Sequence, residues 1–116
     1  MILIDVSLDH AGLIYRCNVE GHADTGPKGS DLVCAAVSVL ARTALMVLSE
    51  AEGIMVRGKA PERGLFRMEV EYLAEKRDFY SGISCFLLEG FDSISKEYPD
   101  NCIVRKHTER RQQNGS

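Results

Sequence analysis

His22 and Cys34 stand twelve residues apart in the run Gly21-His22-Ala23-Asp24-Thr25-Gly26-Pro27-Lys28-Gly29-Ser30-Asp31-Leu32-Val33-Cys34-Ala35-Ala36-Val37-Ser38. An imidazole and a thiol are the parts of a nucleophilic site. The reactive species is the thiolate, and its formation is favoured when Cys sits at a helix N-terminus or beside a His. Asp31 is placed to cap a helix, because a short acceptor side chain can bond the free amides of the first turn. That would set Cys34 at the third helical position, where the positive end of the helix favours an anion. Each residue also has a plainer reading. A Cys in an apolar helix is more often a buried structural thiol. Ser38 is either a donor for an oxyanion, alongside the first-turn amides around Cys34, or a hydroxyl bonded to the helix carbonyl four residues back. Asp31 either orients His22 or only caps.

The segment between His22 and Ser30 has Gly26, Pro27 and Gly29 and no apolar run, so it reads as a loop. It has neither the Walker spacing nor the dinucleotide glycine fingerprint, which leaves little case for a phosphate cradle. We expect a flap over the thiol with Gly26 and Gly29 as hinges and Gly21 flanking the His; a plain connection is the alternative.

The elements that must position these groups follow from hydrophobic spacing. Ile2, Ile4, Val6 and Leu8 alternate with polar residues, and a turn at Asp9-His10-Ala11-Gly12 leads to a second strand over Leu13 to Glu20, with Leu13, Tyr15, Cys17 and Val19 inward. His10 reads as a solvated turn residue. Helix 1 is expected from Asp31 to Glu52, ended by Gly53. It is apolar on most of its circumference, which predicts one face on the sheet and another against a second subunit. Ile54 to Lys59 and Leu65 to Tyr72 read as strands around a Pro61-Glu62-Arg63-Gly64 turn. Helix 2 spans Arg77 to Glu97, with Phe79, Ile83, Phe86, Leu87, Gly90 and Ile94 on one face, and a last strand covers Asn101 to Lys106. The order β-β-α-β-β-α-β predicts a two-layer α+β domain: a mostly antiparallel or mixed sheet with both helices on one face.

Composition limits the function classes. The 116 residues are 45% hydrophobic and 27% charged, as in a single globular domain. The net charge is -3; Arg105, Lys106, Arg110 and Arg111 against Glu109 give the last twelve residues +3 and leave -6 for the body. We read residues 1-106 as the domain and 107-116 as a flexible basic tail, with no direct nucleic-acid binding expected. No stretch reads as a secretory signal, and the apolar run from Leu32 to Leu48 carries Arg42 and is short for a membrane span. A cytoplasmic protein without membrane contact is the expectation. Cys17, Cys34, Cys85 and Cys102 form no Cys-x-x-Cys pair, which argues against a metal site. We expect thiols throughout, with Cys17, Cys85 and Cys102 as small core hydrophobes, and no cofactor.

The stretch from Gly21 to Leu40 also resembles a known family. Gly-His-Ala after a strand, a Gly-rich loop, then Asp-Leu-Val-Cys-Ala-Ala-Val-Ser opening a helix is similar to the ribosomal-processing cysteine proteases (Prp, or YsxB-like, proteins) of bacteria. The resemblance implies a small dimeric α+β enzyme that removes the N-terminal extension of a large-subunit ribosomal protein. It assigns the general base to His22 and the nucleophile to Cys34, with Asp31 and Ser38 at further motif positions. Two other classes compete with it: a non-catalytic ribosome-associated binding module, and a dimeric scaffold held by helix 1.

Overall fold

Alternation along the first strand sends Ile2, Ile4 and Val6 to one face, and that face carries the core. The computed structural model describes residues 1-21, 30-62 and 65-108. Its elements are β1 (Ile2–Leu8), β2 (Ile14–Glu20), α1 (Ser30–Ser49), β3 (Ile54–Glu62), β4 (Leu65–Tyr72), a short 3-10 turn (Ala74–Lys76), α2 (Arg77–Glu97) and β5 (Cys102–Thr108). The five strands lie in the order β3-β4-β2-β1-β5. Every neighbouring pair is antiparallel except β1 with β5, which is parallel because α2 carries the chain back across the sheet. This is the mixed α+β sheet expected from the sequence.

Both helices cover the apolar face. Val33, Val37, Ala41, Ala44 and Leu48 of α1 are buried on it, together with Phe66, Met68 and Val70 of β4. Two glycines permit the approach. A Cβ on Gly58 would meet Leu45 at 2.6 Å, and one on Gly90 would meet Leu40 at 2.8 Å, so α1 seats a leucine against β3 and another against α2. Thus α2, rather than a second subunit, takes one of the apolar flanks of α1. A further face remains uncovered, with Leu32, Val39 and Met46 exposed at intervals of seven residues. By length and hydropathy α1 also passes for a membrane span, with one stripe of it buried against the sheet.

Several local expectations give way to tertiary demands. The register shifts between Ser7 and Leu8, where Leu8 pairs with Ile14 and Ser7 with Arg16. Tyr15 is the extra residue of a bulge, so Ile14 and not Tyr15 turns fully inward. Ile14 also lies beyond the β2–β4 ladder, which begins at the Arg16–Glu69 pair. Its carbonyl accepts from the Tyr80 hydroxyl at 2.6 Å and its amide donates to Ser84 Oγ at 3.0 Å. Buried backbone groups need partners, and meeting that need rotates α2. Its buried face is Tyr80, Ser84, Leu87 and Phe91, while Phe79 and Phe86 stay out in solvent.

Helix 1 begins at Ser30 and ends at Ser49, whose hydroxyl donates back to the Leu45 carbonyl at 2.7 Å. Gly53 sits in the following turn and not at the helix cap. β3 runs on through Pro61 to Glu62, with a register shift between Lys59 and Glu62. A proline is tolerated there because β3 is an edge strand with no outer ladder to supply. Cys85 is exposed, in contrast to Cys17 and Cys102.

Candidate active site

The thiol of interest lies where the N-terminal half of α1 meets one end of the sheet. Cys34 is the fifth residue of the observed helix and only 7% exposed. Val37, Ser38, Ala41 and Arg42 join it from α1, one to two turns on, to wall a cavity of about 60 Å³. The sheet completes the cavity with Ile2 of β1, Val19 of β2, and Leu65 and Phe66 of β4. These residues sit together because the β1–β2 register pairs Ile4 with Val19, while β2–β4 pairs Val19 with Phe66. The cavity is lined by apolar side chains except at the Cys34, Ser38 and Arg42 positions.

Cys34 and Ser38 lie on one helical ridge, four residues apart, and the structure brings both to the cavity. Ser38 Oγ has no hydrogen-bond partner among the described residues, unlike the back-bonded Ser49. That disfavours the purely intrahelical reading of Ser38 and leaves its hydroxyl available. Asp31 is exposed and lies inside the first turn of α1, so it is not the N-cap. The helix starts one residue earlier, at Ser30. An acidic residue there still complements the positive end of the helix. Because the helix begins at Ser30, the amide of Cys34 lies in the helical ladder and is not one of the four free N–H groups at the helix start.

Gly21 closes β2 at this same end of the sheet. Its φ is +153°, and a Cβ would press on the Met1 carbonyl and lie 2.9 Å from Ile2 Cα. Only a residue without a side chain fits, so Gly21 is a point of backbone contact that sets where the chain leaves β2. His22, Gly26 and Gly29 lie outside the described residues, and so does the expected flap.

The other cysteines have a different character. Burial, with a lesser contribution from the charge of Asp5, pushes the Cys17 thiol up to about 12, and burial also raises Cys102. In both, burial disfavours the thiolate. His10 is exposed in the β1–β2 turn, whose Asp9 carboxylate accepts from the Ala11 and Leu13 amides at 2.9 and 3.0 Å. It is separated from the Cys34 cavity by the length of β1, roughly 20 Å at 3.3 Å per residue. A larger open depression of about 990 Å³ lies at that far end. Arg16 and Arg57 in it are both paired with Glu69, at 3.5 and 2.7 Å, and none of the described motif residues lines it. Cys34 and Ser38 line the smaller cavity. Among the described residues no cluster of His, Cys, Asp and Glu is arranged to hold a metal ion.

The family profile of cysteine protease Prp matches residues 1–103. The chain belongs to the Prp family of cysteine proteases. Among solved structures, an essential ribosomal processing protease Prp from S. aureus in complex with a substrate peptide superposes with a TM-score of 0.78 at 21% identity, covering 91% of this chain and 99% of that one. The same S. aureus protease in complex with a covalently linked product peptide gives 0.74 at 22% identity, with coverages of 91% and 99%. SMU.848 from Streptococcus mutans gives 0.75 at 22% identity, covering 94% and 96%. At these identities the likeness is one of fold. No curated protein matches the chain. In this Prp-family protease the motif reading singled out Cys34 and Ser38 but passed over Arg42, which shares their ridge. The available signal was the spacing Cys34, Ser38, Arg42, each four residues from the last.

Proposed function

We propose that this Prp-family protease cleaves the N-terminal extension from a large-subunit ribosomal protein in the cytoplasm, with Cys34 as nucleophile and His22 as general base. The observation that carries the reading is that Cys34 lines one apolar cavity at the end of the sheet together with Ser38, whose hydroxyl has no partner among the described residues. His22 takes the thiol proton, and the thiolate sulfur bonds to the scissile carbonyl carbon, whose oxygen becomes an oxyanion. Ser38 Oγ is a donor for that oxyanion. Collapse breaks the C–N bond, the leaving amine takes the proton back from His22, and water attacks the resulting thioester to free Cys34. The apolar lining from Ile2, Val19, Leu65 and Phe66, around about 60 Å³, suits a small apolar group of the substrate beside the scissile bond. The S. aureus structural neighbour is named as a ribosomal processing protease, which favours the same class of substrate here.

The direct test is incubation of the full chain with the source organism's own ribosomal precursor, followed by mass spectrometry. Release of a short N-terminal peptide at a single site is the expected result. An intact precursor, or a ribosomal protein with no extension, would overturn the substrate assignment.

The same reading makes the enzyme a twofold dimer through α1. Leu32, Val39 and Met46 are 59%, 65% and 65% exposed, a seam at the seven-residue spacing that lets two helices pack. A twofold axis makes such a seam self-complementary. Wild-type protein should sediment as a dimer at micromolar concentration, and Val39→Glu or Met46→Glu as a monomer that remains folded. A monomeric wild type would remove the dimer from the proposal.

A further inference from the structure

We infer that Arg42 is a specificity residue that selects peptides carrying an acidic side chain at a fixed distance from the scissile bond. The inference rests on the protease reading above and adds the substrate feature that the cavity reads. Cys34, Ser38 and Arg42 follow one another at four-residue intervals, so each is turned by only about 40° from the last and the three form one ridge along α1. All three line the same cavity, and Arg42 is its sole charged wall among the described residues. Arg42 is exposed, at the rim, and forms no ion pair with any described residue. Arg16, Arg57 and Lys106 are engaged by Glu69 or Asp92, whereas Lys59, Arg67, Lys76, Arg77, Lys96 and Arg105 share with Arg42 the lack of an ion pair among the described residues. What sets Arg42 apart is that it alone of these cations lines the Cys34 cavity.

A guanidinium fork left open beside an apolar cavity matches a carboxylate better than any other group a peptide offers, because two parallel N–H donors meet two oxygens. The body of the chain is acidic, with a net charge of -3 overall, so an acidic peptide gains nothing from the long-range field. Its recognition must come from a local cation. The eight residues from Cys34 to Arg42 span about 12 Å of helix axis. An extended peptide covers that distance in three or four residues at about 3.3 Å each. With the reach of the arginine side chain, the acidic position falls two to four residues from the scissile bond, while a small apolar group fills the apolar part of the cavity.

The test is a set of synthetic hydrophobic peptides in which each position in turn is Glu, Gln or Lys. Cleavage by the full chain is followed by mass spectrometry. In parallel, fluorescence anisotropy measures binding of the same peptides to the Cys34→Ala variant. Wild type should favour Glu over Gln at one position by about three- to tenfold in kcat/KM, within the range of a single charged hydrogen-bonded pair. In Arg42→Gln that ratio should fall to about one, and in Arg42→Glu the preference should pass to Lys at the same position. An equal Glu-to-Gln ratio in wild type and Arg42→Gln would overturn the inference while leaving the protease reading in place. If no peptide is cleaved, that reading fails, and the binding arm still decides on Arg42: a Glu preference lost in the Arg42→Gln, Cys34→Ala double variant supports it. Equal affinity for the Glu and Gln peptides, or no binding of either, refutes it.

Discussion

Replacement of Cys34 by Ala or Ser should abolish peptide cleavage and leave a folded protein. The expected fall in kcat is about 10⁶-fold, the scale seen when the nucleophile of such a unit is removed. The fold should survive because either replacement removes or exchanges a single heavy atom at a site that already borders a cavity of about 60 Å³. Thermal unfolding and circular dichroism check the fold, and product analysis checks the chemistry. Near-normal cleavage by Cys34→Ala would end the assignment. Alkylation gives an independent readout once the exposed Cys85 is removed. In a Cys85→Ser background, Cys34 should be the thiol that reacts with iodoacetamide near neutral pH, although it is only 7% exposed. Cys17, with its thiol pushed up to about 12, and the buried Cys102 should stay unmodified until the protein unfolds. Equal protection of Cys34 would favour the binding-module or scaffold classes.

His22→Ala should cost a comparable factor, about 10⁶-fold, with little effect on stability. The change in the pH profile is the sharper measure. A base that must be neutral to accept the thiol proton makes activity fall on the acid side, and the ordinary imidazole value is near 6.5. With His22 gone that limb disappears, and the residual rate should instead rise with pH as the thiol ionises by itself. Retention of the same acid limb in His22→Ala would remove this residue from the mechanism and direct the search to another base.

Much of this was legible in the chain because it rests on local rules. Strand alternation in Ile2 to Leu8 and Leu65 to Tyr72 reports the two faces of a sheet directly, since side chains alternate with a period of two whatever lies above them. The long apolar helix, the element order and the thiol and imidazole of the motif are likewise properties of neighbouring residues, and the family assignment grew from the same twenty positions. What the sequence by itself could not determine depends on partners far away in the chain. The bulge at Tyr15 turns Ile14 inward, and Ile14 then needs Tyr80 and Ser84, about seventy residues later, to satisfy its backbone. That need, and not the spacing of apolar residues in α2, decides that Phe79 and Phe86 face solvent. Gly21 reads only as a flank of the His when its neighbours alone are known, and becomes a contact point once β1 is laid against it. Arg42 follows the same logic. Along the chain it is a lone charge within an apolar helix, and only the packing of α1 against β4 sets it on the rim of the cavity that holds Cys34.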